Sequence, residues 1–155
     1  MSKTRYVFQE AVDHCRWKTI LRNEVLTNPE LGENDLQKYA GKTFDEIFVC
    51  VHNICDKVEG IGMLTVYDIT AAICRSNKIN IDKIYIIGKG PKRAIRLLDI
   101  TPKIHKIENI QLKYVEIAEI VDAFSKKKYE INSQIKNSSN GDEFETYICN
   151  WQKDK

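Results

Sequence analysis

Apolar residues recur at three- and four-residue steps through most of the chain, the period of a helix with one buried face. Phe8, Val12, Cys15, Trp17, Ile20, Leu21 and Val25 follow that period and predict a long helix over residues 6–26, closed by the turn chemistry of Asn28-Pro29-Glu30-Leu31-Gly32. A short helix is expected over 35–39. Thr43, with Glu46 three residues later, carries the capping-box signature and starts a helix over 44–57 whose Ile47, Phe48, Val51, Ile54 and Cys55 face a core. A further apolar helix spans 65–75, stopped by Ser76-Asn77. Residues 79–87 alternate as a strand does, yet a short buried helix fits them as well. Gly88-Lys89-Gly90-Pro91 is a tight turn with Pro91 placed as a first helical residue, opening a short helix over 92–98 that Thr101-Pro102 breaks. Val115, Ile117, Ala118, Ile120, Val121 and Phe124 predict a helix over 113–124, residues 137–141 a mobile loop, and 142–151 a last helix. The pattern divides into an N-terminal helical segment (1–42), a central core (43–100) and a C-terminal helical segment (101–155), within one compact, mainly α domain that has room for one short strand near 81–87.

The most informative stretch is Val58-Glu59-Gly60-Ile61-Gly62-Met63-Leu64-Thr65-Val66-Tyr67-Asp68-Ile69. Its order of apolar residue, Gly-apolar-Gly and a threonine-bearing helix start resembles the helix-hairpin-helix motif of DNA-binding proteins. Ile54 and Val58 then seal the first helix, Ile61 plugs the gap, and Val66 and Ile69 line the second. The reversal favours glycine's positive φ, and the second helix begins with backbone N–H groups at its positive dipole end, which suit a phosphate oxygen. The resemblance implies backbone contacts from Gly60, Ile61, Gly62, Leu64 and Thr65. An ordinary helix–helix turn reads the same way.

A second turn, Gly88-Lys89-Gly90-Pro91-Lys92-Arg93-Ala94-Ile95-Arg96, follows 28 residues after the first and looks like a repeat of the motif. Gly88, Lys89, Gly90, Lys92, Arg93 and Arg96 are its candidate phosphate contacts. A strand, a turn and a solvated helix are equally compatible with 81–98. That version also offers an anion a helix start.

Charge adds to this picture. The formal net charge is only +2, but residues 75–113 hold ten basic and three acidic residues, leaving the remainder at −5. Such asymmetry points to an anionic partner near mid-chain, although scattered solvated lysines produce the same count. Charged residues make up 30% of the chain, and no stretch is long and apolar enough to span a bilayer, so a cytoplasmic protein with no membrane partner is expected. The five cysteines are odd in number and scattered, which suits small buried hydrophobes in a reducing compartment. His14, His52 and His105 show no metal-ligand spacing, and no Walker loop or nucleophile elbow is present. No metal or cofactor is implied.

Asp82 lies 20 residues after Gly62, where endonuclease III-type DNA glycosylases, which the segment distantly resembles, carry a catalytic aspartate. Leu64 replaces the lysine nucleophile those enzymes use for strand opening, and their C-terminal cysteine cluster is missing. Asp82 also reads as a turn residue. Leu64-Thr65-Val66-Tyr67-Asp68 and Ile84-Tyr85-Ile86 are further similar to a group of uncharacterised bacterial proteins, a likeness that carries no activity. Tyr67 and Asp68 either face a ligand or belong to the fold. The expected function is non-enzymatic, sequence-nonspecific binding of DNA backbone. The alternatives are a protein-interaction or structural helical domain, a degenerate glycosylase-like protein, or a binder of small anions.

Overall fold

The computed structural model describes residues 41–56 and 60–155. The expected helices over 6–26 and 35–39, with His14, Cys15 and Val58, lie outside them. The chain divides into two compact units, Met1–Ile79 and Asn80–Lys155.

In the first unit, α1 (Phe44–Cys55) starts at Thr43 with both halves of the capping box. The Glu46 amide donates to the Thr43 hydroxyl, and the Thr43 amide donates to the Glu46 carboxylate, each at 3.2 Å. That pair satisfies two of the amides a helix start leaves open. Ile47, Phe48, Val51 and Ile54, at helical spacing, are buried and α1 packs on α2 (Met63–Ser76). On α2 the buried set includes Val66, Tyr67, Ile69, Ala72 and Ile73, and the Thr70 hydroxyl donates to the Val66 carbonyl at 2.8 Å.

The second unit departs from the mainly α expectation. It holds β1 (Lys83–Tyr85), α3 (Lys89–Leu97), β2 (Lys103–Ile107), β3 (Ile110–Glu116), α4 (Ile117–Lys126), the single turn α5 (Ser133–Lys136), α6 (Gly141–Trp151) and a final 3₁₀ turn. The strands form one antiparallel sheet in the order β1-β3-β2. The fold is therefore an α/β mixture, with six α-helices and three strands among the described residues.

One element is also reassigned by this sheet. The helix expected over 113–124 begins only at Ile117, because 110–116 is strand β3. Its period-two alternation places Leu112 and Tyr114 on one face and Val115 on the other, and pairing to both neighbours outweighs the three- and four-step apolar spacing that runs on into α4. The hairpin β2–β3 turns on Glu108-Asn109, with Glu108 at φ 54°. It lacks the Asn-Gly or Asp-Gly pair that makes such turns visible in a sequence.

The second unit's core lies between helices and sheet. Ile84, Ile86 and Val115 meet Ala94, Ile95 and Leu98 of the α3 region, Ile120 and Phe124 of α4, and Phe144 and Ile148 of α6. The opposite sheet face carries Tyr85, Leu112 and Ile107, also buried, with the His105 ring 6.2 Å from those of Tyr85 and Tyr114. Residues 137–141, expected as a mobile loop, are tied down. Asn140 caps α6 by accepting from the Asp142 and Glu143 amides, and its own amide donates to Ser138 Oγ.

Candidate nucleic-acid interface

The first glycine turn joins two packed helices. Gly60 has φ 90°, a conformation that disfavours any side chain, and Gly62 is the extended N-cap residue of α2. Gly62 itself brings no side chain to cap this helix start. The first helical bond runs from the Val66 amide to the Gly62 carbonyl, so the amides of Met63 and Leu64 precede the intrahelical ladder. Both residues are exposed, Met63 at 37% and Leu64 at 45%, and the first turn carries no acidic residue. The tip therefore combines the positive end of a helix with apolar side chains. Thr65 is half-buried behind it, and Asp68 is exposed one turn on. Tyr67 is only 2% exposed, with its ring 6.2 Å from that of Phe44, so it is a core residue.

The second turn differs from the expected repeat. Strand β1, and no helix, precedes Gly88, so the 81–98 segment is a strand, a turn and a helix. Within the β-branched run Ile81–Ile87, Lys83–Tyr85 pairs with β3 instead of coiling, and the Ile86 amide donates to the Lys113 carbonyl at 2.8 Å. Gly88 is the extended N-cap of α3, again without a side-chain cap. Helix α3 starts at Lys89, which makes Pro91 its third residue, where its missing N–H still leaves no broken bond.

The two glycines of this turn do different work. A Cβ on Gly90 would stand 2.5 Å from Cys149 Sγ, so Gly90 is required for the approach of α3 to α6. Burial raises the Cys149 thiol pKa, and Glu145 adds to the shift. Arg93 is also spoken for. Its guanidinium donates to the Gln152 backbone carbonyl, to the Gln152 side chain at 2.8 Å and to the Lys155 carbonyl.

Lys89, Lys92 and Arg96 behave otherwise. They sit three and four residues apart on one stripe of α3, all exposed, and form no ion pair among the described residues. The stripe begins at the uncapped helix start. Asp82, the candidate catalytic carboxylate, is open to solvent, 3.5 Å from the ammonium of its neighbour Lys83. At 78% exposure its side chain stands in water, unlike a carboxylate enclosed around a flipped base.

A hollow of about 500 Å³ lies between Leu98–Thr101 and α4, lined also by Glu119, Asp122, Lys126 and Lys127. Its charges are largely matched. Lys127 meets Asp99 at 2.9 Å and Lys103 meets Glu119 at 3.3 Å, and each carboxylate raises the pKa of its lysine.

No protein-family model, curated protein or solved structure matches the chain. Among the described residues no helix is long and apolar enough to cross a membrane, and no group of three or more His, Cys, Asp or Glu is placed to hold a metal.

One feature has no sequence signal at all: the aromatic group of Phe124, Tyr129, Tyr147 and Trp151, with Lys155 over two of its rings. From Phe124 to Lys155 its members spread over 31 positions, and only folding brings them together.

Proposed function

We propose that the protein binds the phosphate backbone of nucleic acid without sequence preference and does no chemistry on it. The observation that carries this reading is the start of α2. Gly60 at φ 90° and the extended Gly62 open a helix whose N-cap residue offers no side chain and whose first turn holds no acidic residue. A phosphate oxygen completes such a helix end, and the flanking Met63 and Leu64 suit the apolar sugar edge beside it. The second support is the unpaired stripe Lys89, Lys92 and Arg96 on α3, which begins at another uncapped start. Contacts of this kind position a backbone and read no bases.

Arg93 and Gly90 leave the interface in this reading, because the first holds carbonyls of residues 152 and 155 and the second makes room for Cys149.

The test is fluorescence anisotropy of labelled DNA at two salt concentrations, with a Gly62→Asp variant. A side chain at position 62 meets nothing within 4 Å, and Asp is a favoured N-cap, so the fold is kept while a carboxylate occupies the site. Binding that falls steeply with salt and is weakened by Gly62→Asp is the expected result. Absence of binding at low salt, or full binding by that variant, overturns the role given to the turn.

A further inference from the structure

We propose that Tyr129 and Trp151 form a stacking platform for an unpaired nucleobase, so that the preferred partner is single-stranded nucleic acid. This rests on the backbone-binding reading and extends it from phosphates to bases.

Phe124, fully buried, is the foundation of the platform. The Trp151 ring lies 5.1 Å from it and the Tyr129 ring 6.1 Å, edge-on at 82°. Lys128, at φ 59°, turns the chain after α4, and the Tyr129 amide then donates to the Phe124 carbonyl at 2.9 Å. The backbone thus holds Tyr129 in place while its side chain stays open, 42% exposed. Trp151, half-buried at the end of α6, stands 5.7 Å from Tyr129 at 50°. The two rings form an angled notch.

That notch holds a charge from the chain itself. Lys155 Nζ lies 5.3 Å from the Trp151 ring and 5.8 Å from the Tyr129 ring. Outward faces that attract a cation also stack a base, because both interactions use the same π surface. When a base takes the rings, the displaced Lys155 ammonium is left beside the phosphate that follows it.

The surrounding charge favours a polyanion. Lys155 lies over the rings, Lys128 adjoins Tyr129 and Lys153 follows Trp151 by two positions, three cations against the neighbouring Glu130 and Asp154. Lys128, Lys153 and Lys155 form no ion pair among the described residues. The platform is also tied to α3. Arg93, one residue from Lys92 and three from Arg96, holds the carbonyl of Lys155, whose ammonium covers the rings. In this proposal a strand bound along Lys89, Lys92 and Arg96 runs on past residues 152–155 to the notch. Duplex DNA keeps its bases stacked and has none to offer there.

The experiment compares a labelled oligothymidylate of about twelve nucleotides, within the site size of single-strand binders, with a duplex of the same length. The full chain is used at low salt, with Tyr129→Ala and Trp151→Phe variants. Tyr129→Ala is expected to weaken single-strand binding about tenfold and to leave duplex binding unchanged. Oligothymidylate is expected to quench tryptophan emission, and Trp151→Phe to remove that quenching while retaining binding, since phenylalanine still stacks. Tyr129→Ala binding both probes as the parent does, or losing both in proportion, overturns the platform. So does quenching that persists in Trp151→Phe. Parent protein that binds the duplex while failing these tests keeps the backbone reading and loses only this one. Parent protein that binds neither probe loses both.

Discussion

Gly90 and Cys149 touch: a methyl group at position 90 would sit 2.5 Å from the Cys149 sulfur. This contact sets how closely α3 approaches α6, and it gives the second glycine of the Gly88-Lys89-Gly90 turn a packing role. Gly90→Ala should therefore destabilise the protein by about 1–3 kcal/mol through overpacking. Adding Cys149→Ala should return part of that loss, because the sulfur is the atom in the way. Urea unfolding of the two single variants and the double variant measures this coupling. Additive losses would show that the two residues do not press on one another.

Arg93 and Arg96 are separated by one helical turn and by role. Arg93→Ala strips hydrogen bonds from the residue 152 and 155 carbonyls and should cost about 1–2 kcal/mol of unfolding free energy. Arg96→Ala and Lys92→Ala should leave the unfolding free energy within about 0.5 kcal/mol of the parent, as surface changes do.

Those same surface changes should show in binding. Removing one cation that neutralises a phosphate reduces the slope of log affinity against log salt by about 0.9 on duplex DNA. Titrations of Lys92→Ala and Arg96→Ala across a range of salt concentrations read this directly. An unchanged slope would remove the α3 stripe from the interface.

Glu46 makes α1 sensitive to acid. Its backbone and side-chain hydrogen bonds with Thr43 lower its pKa below the ordinary carboxylate value, and Lys42 adds a smaller effect. A depressed folded pKa stabilises the folded state above the ordinary value of 4.5, and this contribution disappears as pH falls through the lowered one. Thr43→Ala should therefore lower the melting temperature at neutral pH, with the difference from the parent narrowing in acid. A pH-independent difference would assign the effect to the Thr43 hydroxyl cap alone.

Local signals in the chain were enough for the first unit's described part. The Thr43–Glu46 box, the apolar stripe of Ile47, Phe48, Val51 and Ile54, and the glycine pair at 60 and 62 act within a few residues of one another. Helix starts and turns depend on such short-range hydrogen bonds and backbone freedom, so they can be read along the chain. The second unit was decided at longer range. Residues 110–116 have apolar positions that suit helix or strand, and pairing with β1 and β2 on either side selects strand. The same holds for the roles of Gly90, Arg93, Tyr129 and Trp151. Each is set by a neighbour more than twenty positions away, at Cys149, Gln152 or the other ring of the notch. Packing distance between α3 and α6 and the register of a sheet are properties of surfaces in contact, and a linear pattern carries no record of which surfaces meet.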